Sequence, residues 1–370
     1  MKKITTALLL FVALGAGPAC AQGLLAKGES AEGKGLYDLA EDYYRQAADT
    51  SVAARLRVGL LLERKELYRE AAEWLTRADS GATAMAHLAA CQGETRDWTA
   101  AKRSAEKAIE LSADNDHKAC ALAMSTLALY YTNEENYTNA LNWAHQAMKE
   151  DPESTRALNV TGIIYFRRGN ENEAIQTFRK VLQKDPKNSD ACFNLGSMYC
   201  YRNSPDLAIT TLRKGLKENR QSVKLLYCLG WAFLLKDDPE HAIECLENVI
   251  RQDSTYVNAY NRMGDIYFER AEYNRAIEQY RKAIRIAPTL PEAYRLLGRT
   301  YAERNEFGKA IFNYQKAVEN DKKDGETYCR IAELYARQKQ PGKEKANYRR
   351  AAKLGHKGAQ DWCTKHGVTY

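Results

Sequence analysis

The segment YNRMGDIYFERAEYNRAIEQYRKAIRIAP, from Tyr260 to Pro288, decides the fold. It contains two stretches in which apolar or small residues recur three or four positions apart, the period of an amphipathic helix. The polar break at Ala271–Asn274 predicts a turn between them, and Pro288 predicts the end of the second helix. The segment is therefore predicted to be a helical hairpin, and none of its residues forms a catalytic motif.

The same pattern returns along the chain at a fixed spacing. Glycine stands at equally spaced positions: Gly162, Gly196, Gly230, Gly264 and Gly298. An aromatic residue follows each of these glycines three positions later, and an alanine follows each of them twelve positions later. One hairpin cannot bury its apolar face alone, so the spacing predicts hairpins that stack on one another.

The repeating residues resemble the tetratricopeptide repeat. In one unit the matching positions are Tyr260, Met263, Gly264, Tyr267, Ala276, Tyr280, Ala283 and Pro288. The resemblance implies an all-α fold, an α/α-solenoid in which tetratricopeptide hairpins form a right-handed superhelix. Seven units keep the register over residues 121–358.

Outside that range the match is weaker. Residues 22–120 are predicted to form about three degenerate tetratricopeptide or Sel-like repeats. In the first of them, LLAKGESAEG reads as a poor helix because glycine costs about 1 kcal/mol inside one. Residues 359–370 are predicted to form a C-terminal cap helix and tail.

Residues 1–21 are predicted to be a signal peptide. Lys2 and Lys3 precede the apolar run Ala7–Ala16, and Ala19 and Ala21 fit a cleavage site before Gln22. We therefore expect export to the bacterial periplasm. Lipidation of Cys20 at the outer envelope is the alternative. No later run is long and apolar enough to predict a transmembrane helix.

The remaining composition argues against several classes of function. The formal charge of +7 is mild for 370 residues, so no nucleic acid partner is expected. Histidines and cysteines show no metal-ligand spacing, and no nucleophile or phosphate-binding motif is present. We expect a non-enzymatic protein without cofactor or metal. Disulfide pairing stays open for eight cysteines: Cys91, Cys120, Cys192, Cys200, Cys228, Cys245, Cys329 and Cys363.

The resemblance also implies where a partner would bind. In the tetratricopeptide family the first helix of each unit lines a concave groove, and the matching positions are Asn159, Phe193, Tyr227, Trp231, Asn261, Arg262, Asp265, Arg295, Arg299 and Arg330. The aromatic residues would anchor a peptide, and the arginines would grip carboxylates. Alternatively, Tyr227 and Trp231 pack on the adjacent unit. The arginines, in turn, could pair with Glu292, Glu303 and Glu333.

These residues predict a scaffold that binds a protein or peptide partner in the groove. Binding of cell-envelope polysaccharide or peptidoglycan fragments is an alternative that the same aromatic residues and arginines could serve. Self-association through an incompletely capped end is a further expectation.

Overall fold

The structure, a computed structural model, describes residues 18–78, 81–112 and 116–370. Within these ranges all the regular secondary structure is helical, and consecutive helices form hairpins. The prediction of an all-α fold of the α/α-solenoid class is confirmed.

The helices of the described residues alternate between the first and the second member of a hairpin. In chain order they are α1 (Pro18–Gly33), α2 (Tyr37–Ala47), α3 (Val52–Arg64), α4 (Tyr68–Arg77), α5 (Ala82–Glu94), α6 (Trp98–Ser112), α7 (His117–Asn133), α8 (Tyr137–Glu150), α9 (Thr155–Arg167), α10 (Glu171–Lys184), α11 (Ser189–Tyr201), α12 (Pro205–Glu218), α13 (Val223–Leu235), α14 (Pro239–Gln252), α15 (Val257–Glu269), α16 (Tyr273–Ile286), α17 (Pro291–Glu303), α18 (Phe307–Asn320), α19 (Gly325–Arg337), α20 (Pro341–Lys353) and α21 (Lys357–Lys365). Odd-numbered helices up to α19 come first in their hairpins, and α21 follows the last hairpin.

The chain divides into two compact units. Unit 1 holds the described residues up to Arg202 together with Arg213–Ser222. Unit 2 holds Asn203–Leu212 and Val223–Tyr370. Unit 2 therefore contains the hairpins from α13 to α20 and the helix α21.

A left-handed residue reverses the chain inside each hairpin. At the end of α15, Ala271 has φ of 58°, its N–H donates to the Phe268 carbonyl at 2.9 Å, and the Glu272 N–H donates to the Tyr267 carbonyl at 2.8 Å. These two bonds satisfy carbonyl groups that the helix end would otherwise leave open. The turns therefore share one geometry although few of them carry glycine.

Close contact between the two helices of a hairpin explains the constant spacing of small and large residues. A Cβ atom at Gly264 would lie 2.4 Å from the Tyr280 ring, and one at Gly28 would lie 2.3 Å from the Tyr44 ring. Tyr44 is fully buried. Helix α1 forms although its glycines make it a poor helix by propensity, because Gly28 admits Tyr44, whose burial offsets the cost of glycine.

Polar links join four successive hairpins, those that begin with α11, α13, α15 and α17, to the hairpin before them. In each of the four, a side chain at the end of the first helix contacts a residue about 30 positions earlier. Lys236 Nζ lies 2.7 Å from Asp206 Oδ1, and Arg270 pairs with Glu240. We call this series the inter-repeat ladder, and its cations are Arg202, Lys236, Arg270 and Arg304. Each such exposed pair contributes at most about 1 kcal/mol, so the ladder fixes register more than stability.

The predicted signal peptide lies largely outside the described residues, which begin at Pro18. Helix α1 continues across the predicted cleavage point, and Ala21 packs against Ala47 and Ala54. Among the described helices, none has both the length and the hydropathy of a membrane span.

Among the described residues, every cysteine except Cys20 is buried. Burial raises the pKa of the Cys192 thiol to about 11 and that of Cys91 further. A buried thiol with a raised pKa stays protonated and unreactive. The eight buried cysteines therefore act as small apolar residues of the core.

Candidate partner-binding surface

In unit 2 the candidate residues lie on four successive first helices. Tyr227 and Trp231 lie on α13, and Arg330 lies on α19. The residues between them in the chain order are Asn261, Arg262 and Asp265 on α15 and Arg295 and Arg299 on α17. We call the side of α13, α15, α17 and α19 that carries these residues the first-helix face.

The aromatic part of this face is partly engaged with the next hairpin. The Tyr227 ring lies 5.3 Å from the Tyr256 ring, centroid to centroid, at an interplanar angle of 56°. Tyr227 and Trp231 are both half-buried. The contact of Tyr227 with Tyr256 is the packing alternative that the sequence suggested for Tyr227, and both Tyr227 and Trp231 keep part of their surface exposed.

Asn261 has the least satisfied polar group of the face. Its side chain is only 7% exposed, and its Oδ1 atom has no hydrogen-bond donor among the described residues. A buried carbonyl oxygen without a donor costs about 1–3 kcal/mol. Asn261 therefore offers an acceptor that the chain does not use itself.

Asp265 has a structural partner. Its Oδ1 atom accepts a hydrogen bond of 2.8 Å from the Tyr280 hydroxyl, and Tyr280 is 1% exposed. Burial raises the pKa of the Asp265 carboxyl, which the Tyr280 bond and Arg262 lower in part. The carboxylate thus holds the aromatic residue that fills the hairpin.

The arginines of the face are paired within the chain. Arg295 Nη1 lies 2.9 Å from Asp324 Oδ2, and Arg295 also pairs with Glu292. Arg299 Nη2 lies 2.9 Å from Glu269 Oε1.

The same holds at the two ends of the arginine series. Arg330 lies 2.9 Å from a Glu326 oxygen and 3.2 Å from a Glu333 oxygen. Arg262 Nη1 lies 4.0 Å from Asp265 Oδ2. The ion pairs of arginines with Glu292 and Glu333 that the sequence suggested are present. The arginines of the face therefore already have carboxylate partners within the chain.

Arg299 also has an aromatic neighbour. Its guanidinium lies 3.7 Å from the centroid of the Phe268 ring. A cation over a ring face is attracted by the ring quadrupole. Phe268 therefore supports the Arg299 guanidinium from below.

In unit 1 the two candidates lie on α9 and α11. The Asn194 side-chain amide donates a hydrogen bond of 3.1 Å to Asn159 Oδ1, and Asn159 is 7% exposed. Phe193 is half-buried beside Asn194. Asn159 is thus satisfied within the chain, in contrast to Asn261.

Sequence reasoning missed Glu63, His87 and Glu94, polar residues on the irregular repeats of unit 1 that form ion pairs, one of them with Arg156 of α9. Arg156 Nη2 lies 3.7 Å from Glu94 Oε1, and His87 Nδ1 lies 2.6 Å from Glu63 Oε2. The spacing of α3 and α5 departs from the regular period, so the pattern could not align these side chains. In the described ranges no three His, Cys, Asp or Glu side chains are grouped as metal ligands would be.

Matches to known family models agree with the pairing of the helices into hairpins. Three models described as tetratricopeptide repeat match residues 125–189, 165–227 and 291–324, and one described as TPR repeat matches residues 264–303. No curated protein matches the chain.

Several solved structures are similar to this chain. MamA is 31% identical over 45% of this chain and 96% of its own, with a TM-score of 0.41. PilF of Pseudomonas aeruginosa is 18% identical over 55% of this chain and 93% of its own, with a TM-score of 0.50. A monomeric mutant of IFIT1 with m7Gppp-AAAA is 14% identical over 90% of each chain, with a TM-score of 0.56.

At such low identity, PilF and IFIT1 show likeness of fold alone. The family models and the hairpin geometry together support one assignment. Residues 125–227 and 264–324 of this chain are tetratricopeptide repeats.

Proposed function

We propose that this chain is a non-enzymatic scaffold whose unit 2 binds a protein or peptide partner on the first-helix face. The observation that carries the proposal is the buried Asn261 Oδ1 atom without a donor among the described residues. Because this atom has almost no accessible surface, a main-chain N–H of a bound peptide would reach it only once the Asn261 side chain rotates toward the face. Exposed parts of Tyr227 and Trp231 lie on the preceding first helix and would contact apolar side chains of the partner.

The charges of the face predict the chemistry of the partner. Because Arg295, Arg299 and Arg330 already have carboxylate partners, an incoming carboxylate would have to replace an existing ion pair. Little net free energy is gained in such an exchange. Recognition should therefore rest on main-chain hydrogen bonds and apolar contacts, and its affinity should depend weakly on salt.

The test is affinity capture from a cell-envelope extract with residues 22–370 as bait, followed by measurement of the dissociation constant of the captured protein by calorimetry. Asn261→Ala should raise that dissociation constant about 5- to 100-fold, since it removes an acceptor worth about 1–3 kcal/mol. The unfolding free energy of the same variant should stay unchanged or rise, because the unsatisfied oxygen is gone.

The matched control is Arg330→Gln, which removes an exposed side chain of the same face that is paired within its own helix. It should leave the affinity within about twofold, as exposed ion pairs contribute little. Equal affinity of Asn261→Ala and the unchanged chain would contradict the assignment of the face. Retention on protein-free cell-wall polymer would instead favour the polysaccharide alternative.

We further propose that the chain is exported to the bacterial periplasm after cleavage before Gln22. The proposal rests on the charged, apolar and small-residue pattern of residues 1–21. Terminal sequencing of the protein from the envelope fraction should find Gln22 first. A lipid on Cys20 would support the lipoprotein alternative, and an intact start at Met1 in the cytoplasmic fraction would contradict export.

A further inference from the structure

The net charge of the chain is concentrated at one end. Residues 337–370 contain nine Lys or Arg and two acidic residues, a net charge of +7, and the whole chain also has a net charge of +7. The rest of the chain is therefore neutral overall. By contrast, residues 223–336 of the same unit contain seventeen Lys or Arg and eighteen acidic residues.

All nine cations are exposed, and none forms an ion pair with a described residue. We call them the C-terminal basic patch: Arg337, Lys339, Lys343, Lys345, Arg349, Arg350, Lys353, Lys357 and Lys365. Three of them lie over aromatic rings at 5.2–5.8 Å, which leaves their charge in solvent. Elsewhere in unit 2 most cations are paired, as the inter-repeat ladder and the arginines of the first-helix face are.

The patch has a defined shape because it is built on packed helices. On α20, five of the cations fall within an arc of about 160° when successive residues turn by about 100°. The side of α20 outside this arc buries Ala351 and Ala352. Helix α21, which carries Lys357 and Lys365, is held against α20 by the stacked rings of Tyr348 and Trp362, 4.3 Å apart. The charges thus lie on an ordered surface.

A second copy of this chain is a poor occupant of the patch. The most acidic terminal region is the first hairpin, where residues 22–49 contain six acidic and three basic residues. Four of these six carboxylates are already engaged: Lys65 Nζ lies 2.6 Å from both Asp38 and Glu41, and Arg57 lies 3.5 Å from Glu29 and 4.0 Å from Glu32. Pairing with the patch would break these contacts.

Nucleic acid is also a poor occupant. Proteins that bind single strands combine basic grooves with aromatic side chains on which bases stack. Here Tyr348 and Trp362 stack on each other and are half-buried, so neither presents a free face of that kind.

We propose that the C-terminal basic patch binds the surface of a bilayer that contains anionic phospholipid. Charge complementarity supports this occupant, since a group of four to eight Lys or Arg on one helix face is enough for attraction to anionic lipid. The attraction needs no pocket and no apolar insertion, which agrees with the burial of the apolar side of α20. The proposal is independent of partner binding on the first-helix face.

The test is sedimentation of residues 22–370 with vesicles of phosphatidylcholine, with and without phosphatidylglycerol. Binding should require phosphatidylglycerol and should fall at least tenfold between about 0.05 M and about 0.5 M salt, because the Debye length shortens. The variant Lys343→Gln, Lys345→Gln, Arg349→Gln, Arg350→Gln, Lys353→Gln should partition about 100-fold less well or worse.

The control has the same change in net charge at five exposed lysines that lie far apart in the chain and have no ion pair with a described residue: Lys118→Gln, Lys149→Gln, Lys180→Gln, Lys217→Gln and Lys322→Gln. This control variant should retain most of the vesicle binding of the unchanged chain. Circular dichroism should show both variants to be folded, since all substituted side chains are exposed. Equal loss in both variants, equal binding to neutral vesicles, or no binding by the unchanged chain would overturn the proposal. Salt-sensitive dimers or RNA binding without lipid binding would also overturn it.

Discussion

Two neighbouring parts of unit 2 share the helical hairpin but treat charge in opposite ways. Residues 223–336 hold nearly equal numbers of basic and acidic residues, and most cations there lie beside a carboxylate. Residues 337–370 hold nine cations that have no such partner among the described residues. The difference teaches that the repeat pattern specifies the packing of a hairpin and leaves its outer surface free to take another role.

The two parts also differ in how tightly a hairpin is filled. Tyr280 fills the space that Gly264 leaves, and it donates a hydrogen bond to Asp265. Tyr348 occupies the matching place in the last hairpin, is half-buried and stacks on Trp362. Comparing substitutions in the two parts should therefore show how much stability depends on a buried contact and how much on an exposed one.

The largest contrast is expected for glycine. Gly264→Val should cost about 3 kcal/mol, because its Cβ would lie 2.4 Å from the Tyr280 ring in a filled core. Gly342→Val in α20 should be neutral to within about 0.5 kcal/mol, because nothing lies within 4 Å of the added Cβ. Hydrogen exchange of the amides in α15, α16 and α20 would measure both. A loss at Gly342→Val as large as that at Gly264→Val would contradict the close contact between Gly264 and Tyr280.

A smaller contrast is expected for the tyrosine hydroxyls. Tyr280→Phe should cost about 1–2 kcal/mol, since it leaves the buried side of Asp265 without its 2.8 Å donor. Tyr348→Phe should change the stability by less than about 0.5 kcal/mol, as its ring keeps the stack on Trp362. Urea unfolding followed by circular dichroism would compare them, and a loss at Tyr348 as large as that at Tyr280 would contradict the structure.

The smallest effect should appear as a dependence on pH. Burial acts to raise the pKa of Asp324, but hydrogen bonds from Thr327 and the ion pair with Arg295 outweigh it, and the pKa lies below its ordinary value. The ionised carboxyl therefore stabilises unit 2 above about pH 4, and this contribution is lost as the pH falls through the folded-state pKa.

Asp324→Asn should weaken the fall in urea midpoint between neutral and acidic pH. Asp361→Asn, which changes an exposed carboxylate of α21, is the control and should leave the pH profile as it was. An unchanged profile in Asp324→Asn would contradict the assigned role of the Asp324 contacts.

Sequence could predict the parts of the molecule that depend on contacts at fixed spacing. Gly264 and Tyr280 lie in one hairpin and repeat at the same offset in its neighbours, so one pattern predicted the helix, the turn and the core position together. Gly28 and Tyr44 are separated by the same number of positions, but their hairpin is out of register with the regular repeats, so the pattern did not align this pair with the others. Helix propensity alone described α1 as a poor helix, because it takes no account of the contact with Tyr44.

The candidate site was less predictable than the fold, for a physical reason. Arg299 pairs with Glu269 of the preceding hairpin, and such a pairing depends on how adjacent hairpins are placed. The hydrogen bonding of the two asparagines depends on the same placement of adjacent hairpins. Asn159 accepts a hydrogen bond from Asn194, whereas Asn261 Oδ1 has no donor among the described residues. The family resemblance identified both asparagine positions in the sequence. Only the structure shows which of the two side chains has a hydrogen-bond donor.

The inter-repeat ladder has a consequence for how this chain can change in length. Deletion of residues 257–290 would place Arg304 at the same offset from Glu240 that Arg270 has now. The glycine and the large residue of each hairpin would remain together, since both lie within one block of the repeat. Along the four repeats that carry the ladder, whole blocks can therefore be lost or duplicated while the new boundary regains a cation and its partner.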